Sequence, residues 1–207
     1  MQREVDDFVS ALEIECNSIK PVNESTPEEV RRAQESGEGI KPPPILSDAA
    51  IVREIEAPHG KVPVRAFIPS DQINGVYFHI HGGGWVLGRA HHRDSALVEI
   101  LEECGAAVIS VDYRLAPEYP YPAALHDCYT SLLWLVNNAS NMGIDTSKIV
   151  VGGGSAGGNL AASVALMARD KAGPSICHQM LIYPALDDQA NTQSMLDGEN
   201  TYVITSQ

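Results

Sequence analysis

The chain has 207 residues, 44% of them hydrophobic and 20% charged, and a formal net charge of −13. That length supports an α/β domain with a real core, and the acidic balance argues against a nucleic-acid partner, which needs clustered Lys and Arg. No apolar run reaches the ~18 residues of a membrane span, the acidic start MQREVDDFVS lacks a signal-peptide core, and Cys16, Cys104, Cys128 and Cys177 are scattered singly, so a cytoplasmic protein with reduced thiols and no metal is expected.

In chain order, Val5, Phe8, Val9 and Leu12 recur at helical spacing and predict an amphipathic first helix. Thr26-Pro27-Glu28-Glu29 combines an N-cap, a proline in the first turn and a capping-box glutamate, so a second, mostly polar helix runs to about Ser36. Gly37 and Gly39 stop it, and Lys41-Pro42-Pro43-Pro44 is a stiff linker. The domain organisation expected is 1–45 as cap helices and linker, and 46–207 as the core.

Within the core, Ile51–Ala57 and Val62–Ile68 read as strands joined tightly at His59-Gly60, hence an antiparallel hairpin. Val76–Ile80 is a strand, Arg93–Cys104 a helix, Ala106–Val111 a strand and Tyr121–Asn138 a helix. Ile149–Gly152 is a strand, Ser155–Lys171 a helix and Gln179–Tyr183 a strand. From Val76 onward the order β-α-β-α-β-α-β implies right-handed crossovers and a parallel sheet covered on both faces.

Two glycine-rich segments carry the chemistry. Gly153-Gly154-Ser155-Ala156-Gly157 puts a serine on a strand-to-helix turn at the C-terminal end of a parallel strand, where α/β sheets bind ligands. Small residues at Gly153 and Gly157 suit such a strained turn, and the Ala156 N–H at a helix start suits developing negative charge. The same stretch, from Gly152 to Gly157, also satisfies the dinucleotide pattern Gly-x-Gly-x-x-Gly, with Asp187 or Asp188 as a ribose carboxylate. A plain glycine turn is the third reading. His81-Gly82-Gly83-Gly84-Trp85, which follows a strand directly, favours the first: acyl transfer needs backbone donors here, and a dinucleotide gives this loop no role.

With Asp112-Tyr113-Arg114-Leu115-Ala116-Pro117-Glu118, Tyr121-Pro122-Ala123-Ala124 and Gly153 to Leu160, these segments resemble the hormone-sensitive-lipase group of α/β-hydrolases over about residues 40–205. The resemblance implies a mostly parallel eight-stranded sheet, a helical cap drawn partly from the N-terminus, and hydrolysis of small carboxylic esters, usually short-chain, without a cofactor. It implies Ser155 as nucleophile, Gly83, Gly84 and Ala156 as oxyanion donors, and His81 and Gly82 as loop-shaping positions. One departure is visible. The residue before the serine is usually Asp in the group and here is Gly154, which predicts a turn looser by about 1 kcal/mol. Asp112 and Arg114 are expected to brace loops rather than to act on substrate.

A serine needs a base, and the base an orienting carboxylate, in the order Ser, acid, His. His178 is the one histidine after Ser155 and starts a strand at the wrong edge, roughly 15–20 Å away by strand rise. Asp170 ends a helix at that same edge, and His79, His91, His92 and His126 precede the serine. The expectation is therefore a C-terminally truncated α/β-hydrolase that stops in a second cap segment near Tyr202-Val203-Ile204-Thr205 and has little turnover. Its last strand would be an open, apolar edge prone to homo-oligomers. A non-catalytic small-molecule receptor is the second reading and a dinucleotide-dependent oxidoreductase the third.

Overall fold

The computed structural model describes residues 2–18, 20, 22–39, 42–187 and 193; the segment around Tyr202–Thr205 and the alternative ribose acid Asp188 lie outside them. The chain divides into two units. One is Ile45–Leu186, and the other is drawn from the two ends, Met1–Pro44 and Asp187–Gln207. The last described strand closes at Ile182, just before the end of the larger unit.

In the smaller unit, α1 (Gln2–Ser18) carries Val5, Phe8 and Val9 exposed, at 50%, 67% and 44%. Helix α2 (Pro27–Ser36) is capped as its sequence dictates. The Glu29 N–H donates to Thr26 Oγ1 at 3.2 Å and the Thr26 N–H donates to Glu29 Oε2 at 2.8 Å. Gly37 closes it in the left-handed region.

The larger unit contains β1 (Ile51–Ala57), β2 (Gly60–Phe67), β3 (Val76–Ile80), α3 (Asp94–Cys104) and β4 (Ala107–Val111). These are followed by α4 (Ala123–Asn138), β5 (Ile149–Gly154), α5 (Ala156–Asp170) and β6 (His178–Ile182). The sheet order is β1-β2-β4-β3-β5-β6. The pairs β1–β2 and β2–β4 are antiparallel, whereas β3–β4, β3–β5 and β5–β6 are parallel. The expected hairpin and parallel run are both present. Helix α5 begins one residue later than expected because Ser155 itself has non-helical backbone. Short 3₁₀ turns such as Ala90–Arg93, which have no strong periodic signal, precede or join the longer helices.

Strand alternation fills both faces of the sheet. Phe78, Ile80, Ile109 and Val111 join the main core with Leu132 and Leu135 of α4 and Leu160 and Val164 of α5. Tyr77, Val108 and Phe67 form a second cluster with Leu97 of α3. Strands β3 and β4 are buried at every residue. Two buried acids pin the helices. Asp94 at the start of α3 takes Arg65 of β2, through Nε at 2.8 Å and through a second nitrogen, and the Ser47 N–H at 2.9 Å. Asp127 on α4 is held by Arg114 and by His59, with Arg114 Nη2 at 2.9 Å and His59 Nε2 at 2.5 Å.

Candidate active site

The sheet register brings the two glycine segments together. Ile80, the last residue of β3, pairs with Gly153 of β5, so the chain leaves both strands at the same level. The segment His81–Trp85 therefore emerges beside Gly154-Ser155. A Cβ placed on Gly82 would lie 2.6 Å from the Gly154 carbonyl oxygen and 3.6 Å from Ser155 Cβ. The glycine loop touches the serine turn directly.

Ser155 has φ 55° and ψ −122°, a region costly for a residue with a Cβ and kept only where the surroundings over-determine it. They do so here. The Ser155 N–H donates to the Ile182 carbonyl at 3.0 Å, and the Ser155 carbonyl accepts from Asn159 N–H at 3.0 Å and Ala185 N–H at 3.3 Å. The flanking glycines are required by close approach: a Cβ on Gly153 or Gly157 would lie 2.1 Å from the Ile80 carbonyl oxygen. Ala156 is buried at the first position of α5, where backbone N–H groups have no partner within the helix.

In the facing loop Gly83 has φ 125°, and its carbonyl accepts from Val86 N–H at 3.1 Å and Leu87 N–H at 2.8 Å. The His81 ring is buried and stacked on Tyr113, with centroids 4.1 Å apart and planes 9° from parallel. Its Nδ1 lies 2.8 Å from the Gly82 carbonyl, which can only accept, so Nδ1 carries the proton. Because the peptide unit is planar and trans, fixing the Gly82 carbonyl also fixes the Gly83 N–H on the opposite side of the same bond. Tyr113 closes the arrangement by donating its hydroxyl to the His81 carbonyl at 2.9 Å. His81 Nε2 is buried without a hydrogen-bond partner among the described residues. Burial is the main cause that lowers its pKa to about 4, since a proton there would place an uncompensated charge in the core.

The remaining candidates make no hydrogen bond to the Ser155 side chain among the described residues. His79 is buried in β3, 3.0 Å from Ser110 Oγ, and burial lowers its pKa to about 3. His178 pairs with Val150, five residues before Ser155 along the neighbouring strand, or about 16 Å by strand rise. Asp170 is exposed and ion-paired with Arg169 at 2.7 Å. His91 and His92 lie on the 3₁₀ turn before α3, and His126 is on α4. No described histidine or carboxylate bonds the Ser155 hydroxyl. Asp112 accepts the Ala90 N–H at 3.0 Å and pairs with Arg89 at 3.4 Å. Arg114 donates Nε and Nη2 to Asp127. Both therefore act within loops and between elements.

A small cavity of about 70 Å³ lies between the two segments' flanks, lined by Trp85, Tyr119, Leu125, Asn159, Leu160 and Ser163 among others. Trp85 ends the glycine loop, and Asn159 to Ser163 occupy the first two turns of the serine helix.

A family profile described as alpha/beta hydrolase fold matches residues 77–207. The chain belongs to the α/β-hydrolase family, in its hormone-sensitive-lipase-like branch. It is 45% identical over 111 residues to an arylesterase of Saccharolobus solfataricus, covering 53% of this chain and 36% of that protein. It is 41% identical over 148 residues to carboxylesterase NlhH of Mycobacterium tuberculosis, covering 69% and 46%. Among solved structures, a hyperthermophilic esterase from Pyrobaculum calidifontis superposes with a TM-score of 0.78 at 34% identity, covering 88% of this chain and 61% of that one. The chain thus spans about half the length of these relatives.

Tyr113, the Asp127 network and the 182–185 segment escaped sequence reasoning. The first two involve partners far apart in sequence. Only Asp112-Tyr113-Arg114, as a motif, gave any signal of them.

Proposed function

We propose that this chain carries the nucleophilic half of a carboxylic ester hydrolase. The observation that carries the reading is the contact between the glycine loop and the left-handed serine turn, with the Gly82 Cβ position 3.6 Å from Ser155 Cβ. Ser155 Oγ attacks the ester carbonyl carbon and gives its proton to a general base. The carbonyl oxygen becomes an oxyanion, which the N–H groups of Gly83, Gly84 and Ala156 receive. As the intermediate collapses, the C–O bond to the alcohol breaks, the alcohol takes the proton, and an acyl-Ser155 remains for water to release as the acid. The base is a role that no described histidine is placed to fill. The small, mostly apolar cavity beside the turn, lined by Trp85, Tyr119, Leu125 and Leu160, supports a short acyl chain.

The test uses p-nitrophenyl esters of increasing acyl length, with free imidazole supplied as the base. Imidazole-dependent release of nitrophenol above that of Ser155→Ala, strongest for acetyl and propionyl esters, is expected. Equal release from both proteins would overturn the reading and leave a non-catalytic ligand-binding role as its successor.

A further inference from the structure

Gly154, beside the nucleophile, is not a glycine for backbone reasons, because its φ is not positive. The side chain packed over it is that of Tyr183. The ring atoms Cε2 and Cζ and the hydroxyl of Tyr183 lie 3.4, 3.5 and 3.4 Å from the position a Gly154 Cβ would take. A Cβ at 154 would thus already touch the ring, and a longer side chain on that side would have to share its space.

Tyr183 is itself strained, with φ 36°, and such backbone persists only where something holds it. The segment that carries it is tied to the serine turn on both sides. Ile182 receives the Ser155 N–H at 3.0 Å, and Ala185 donates its N–H to the Ser155 carbonyl at 3.3 Å. Asn159 Nδ2 then grips the Ala185 carbonyl at 2.8 Å. Pro184 sits against Gly158, whose Cβ position is 2.9 Å from Pro184 Cβ. Residues 182–185 thus wrap the turn, and a Tyr183 ring that is 71% exposed lies over the residue before the serine. A hydrophobic ring left so exposed has little of its own burial to explain the strained backbone beneath it.

We propose that Tyr183 is a positioning residue for Ser155. Its ring occupies the side-chain space of position 154 and, with the backbone bonds on either side, holds the serine turn in its attacking conformation. This rests on Ser155 being the nucleophile. It makes a distinctive prediction: a side chain at 154 and the ring at 183 compete for one space, so each is harmful or helpful depending on the other.

The experiment measures imidazole-assisted acetylation of Ser155 by p-nitrophenyl acetate across ester concentrations, together with urea unfolding midpoints. Tyr183→Ala is expected to lower the saturating acetylation rate about tenfold or more with little change in the half-saturating ester concentration. Tyr183→Phe, which keeps the ring, should stay near the parent rate. Gly154→Leu should be slow in the parent but should raise the rate in the Tyr183→Ala background. An unchanged rate in Tyr183→Ala, or strictly additive effects in the double variant, overturns the proposal. A parent chain that never acetylates Ser155 instead sinks the hydrolase reading, and the unfolding midpoints then still read whether 154 and 183 compete.

Discussion

Strands β3 and β6 are both parallel neighbours of β5, yet they live in different surroundings. Every residue of β3 is buried, and it delivers the glycine loop to the serine. Strand β6 is exposed at four of its five residues, with Met180 at 37% and Ile182 at 43%, and among the described residues it pairs with β5 alone. The contrast teaches where the site's precision comes from. On the β3 side, backbone meets backbone with no room for a methyl group. On the β6 side there is also one tight approach, a Gly152 Cβ position 2.5 Å from the Met180 carbonyl oxygen, but the serine turn itself is held there by hydrogen bonds from the segment just past the strand.

The sharpest break of that contrast is steric. Gly157→Ala places a Cβ 2.1 Å from the Ile80 carbonyl and 2.6 Å from that of His81. It should cost about 3 kcal/mol or more, or prevent folding. Met180→Ala on β6 should stay within about 1 kcal/mol. Urea unfolding followed by tryptophan fluorescence measures both, and equal effects would erase the distinction.

The next effect is a pH dependence contributed by two buried histidines on the β3 side. His79 and His81 are held neutral by burial, with pKa values of about 3 and about 4. Unfolded, each would bind a proton below about pH 6.5. The unfolded state then holds more protons, so stability is complete above pH 6.5 and falls as pH drops toward 4. Each histidine contributes a slope of up to about 1.4 kcal/mol per pH unit. His79→Gln should remove one such increment, and an unchanged slope would contradict the assignment.

A smaller effect is expected from Tyr113→Phe, which loses the hydroxyl bond to the His81 carbonyl but keeps the stacked ring. About 1 kcal/mol of stability should go, along with a several-fold drop in Ser155 acetylation if the ring pair aims the Gly83 N–H. Smallest in stability terms is Met180→Lys. It should barely move the unfolding midpoint while reducing any self-association through the β6 edge, because a charge disfavours strand pairing. Light scattering across a concentration series measures this, and identical association by parent and variant would argue against an edge-mediated contact.

Much of this architecture was legible because its causes are local. The capping box at Thr26 and Glu29, the small residues flanking Ser155 and the apolar strands Val76–Ile80 and Ala107–Val111 each declare themselves within a few residues. That the two glycine segments meet was expected from their chemistry, and the register of β3 with β5 is what brings them together. What stayed hidden depends on partners far apart in sequence. His59, in the β1–β2 turn, meets Asp127 of α4. Tyr113 lies under His81. The Tyr183 ring lies in contact with the Cβ position of Gly154. Periodicity carries no information about such encounters, and the Asp112-Tyr113-Arg114 motif marks one side of them without naming the partner. Where the structure departs from the sequence reading, the departures are at the site, where strained backbone needs long-range support.

The central claim is that Ser155 is the residue that takes up the acyl group. Its most direct measurement is peptide mass mapping after exposure of the chain to p-nitrophenyl acetate with imidazole present. The account predicts one acetyl group on the peptide containing Ser155, released again by hydroxylamine and absent from Ser155→Ala. Acetyl groups spread over lysines with Ser155 unmodified would contradict it.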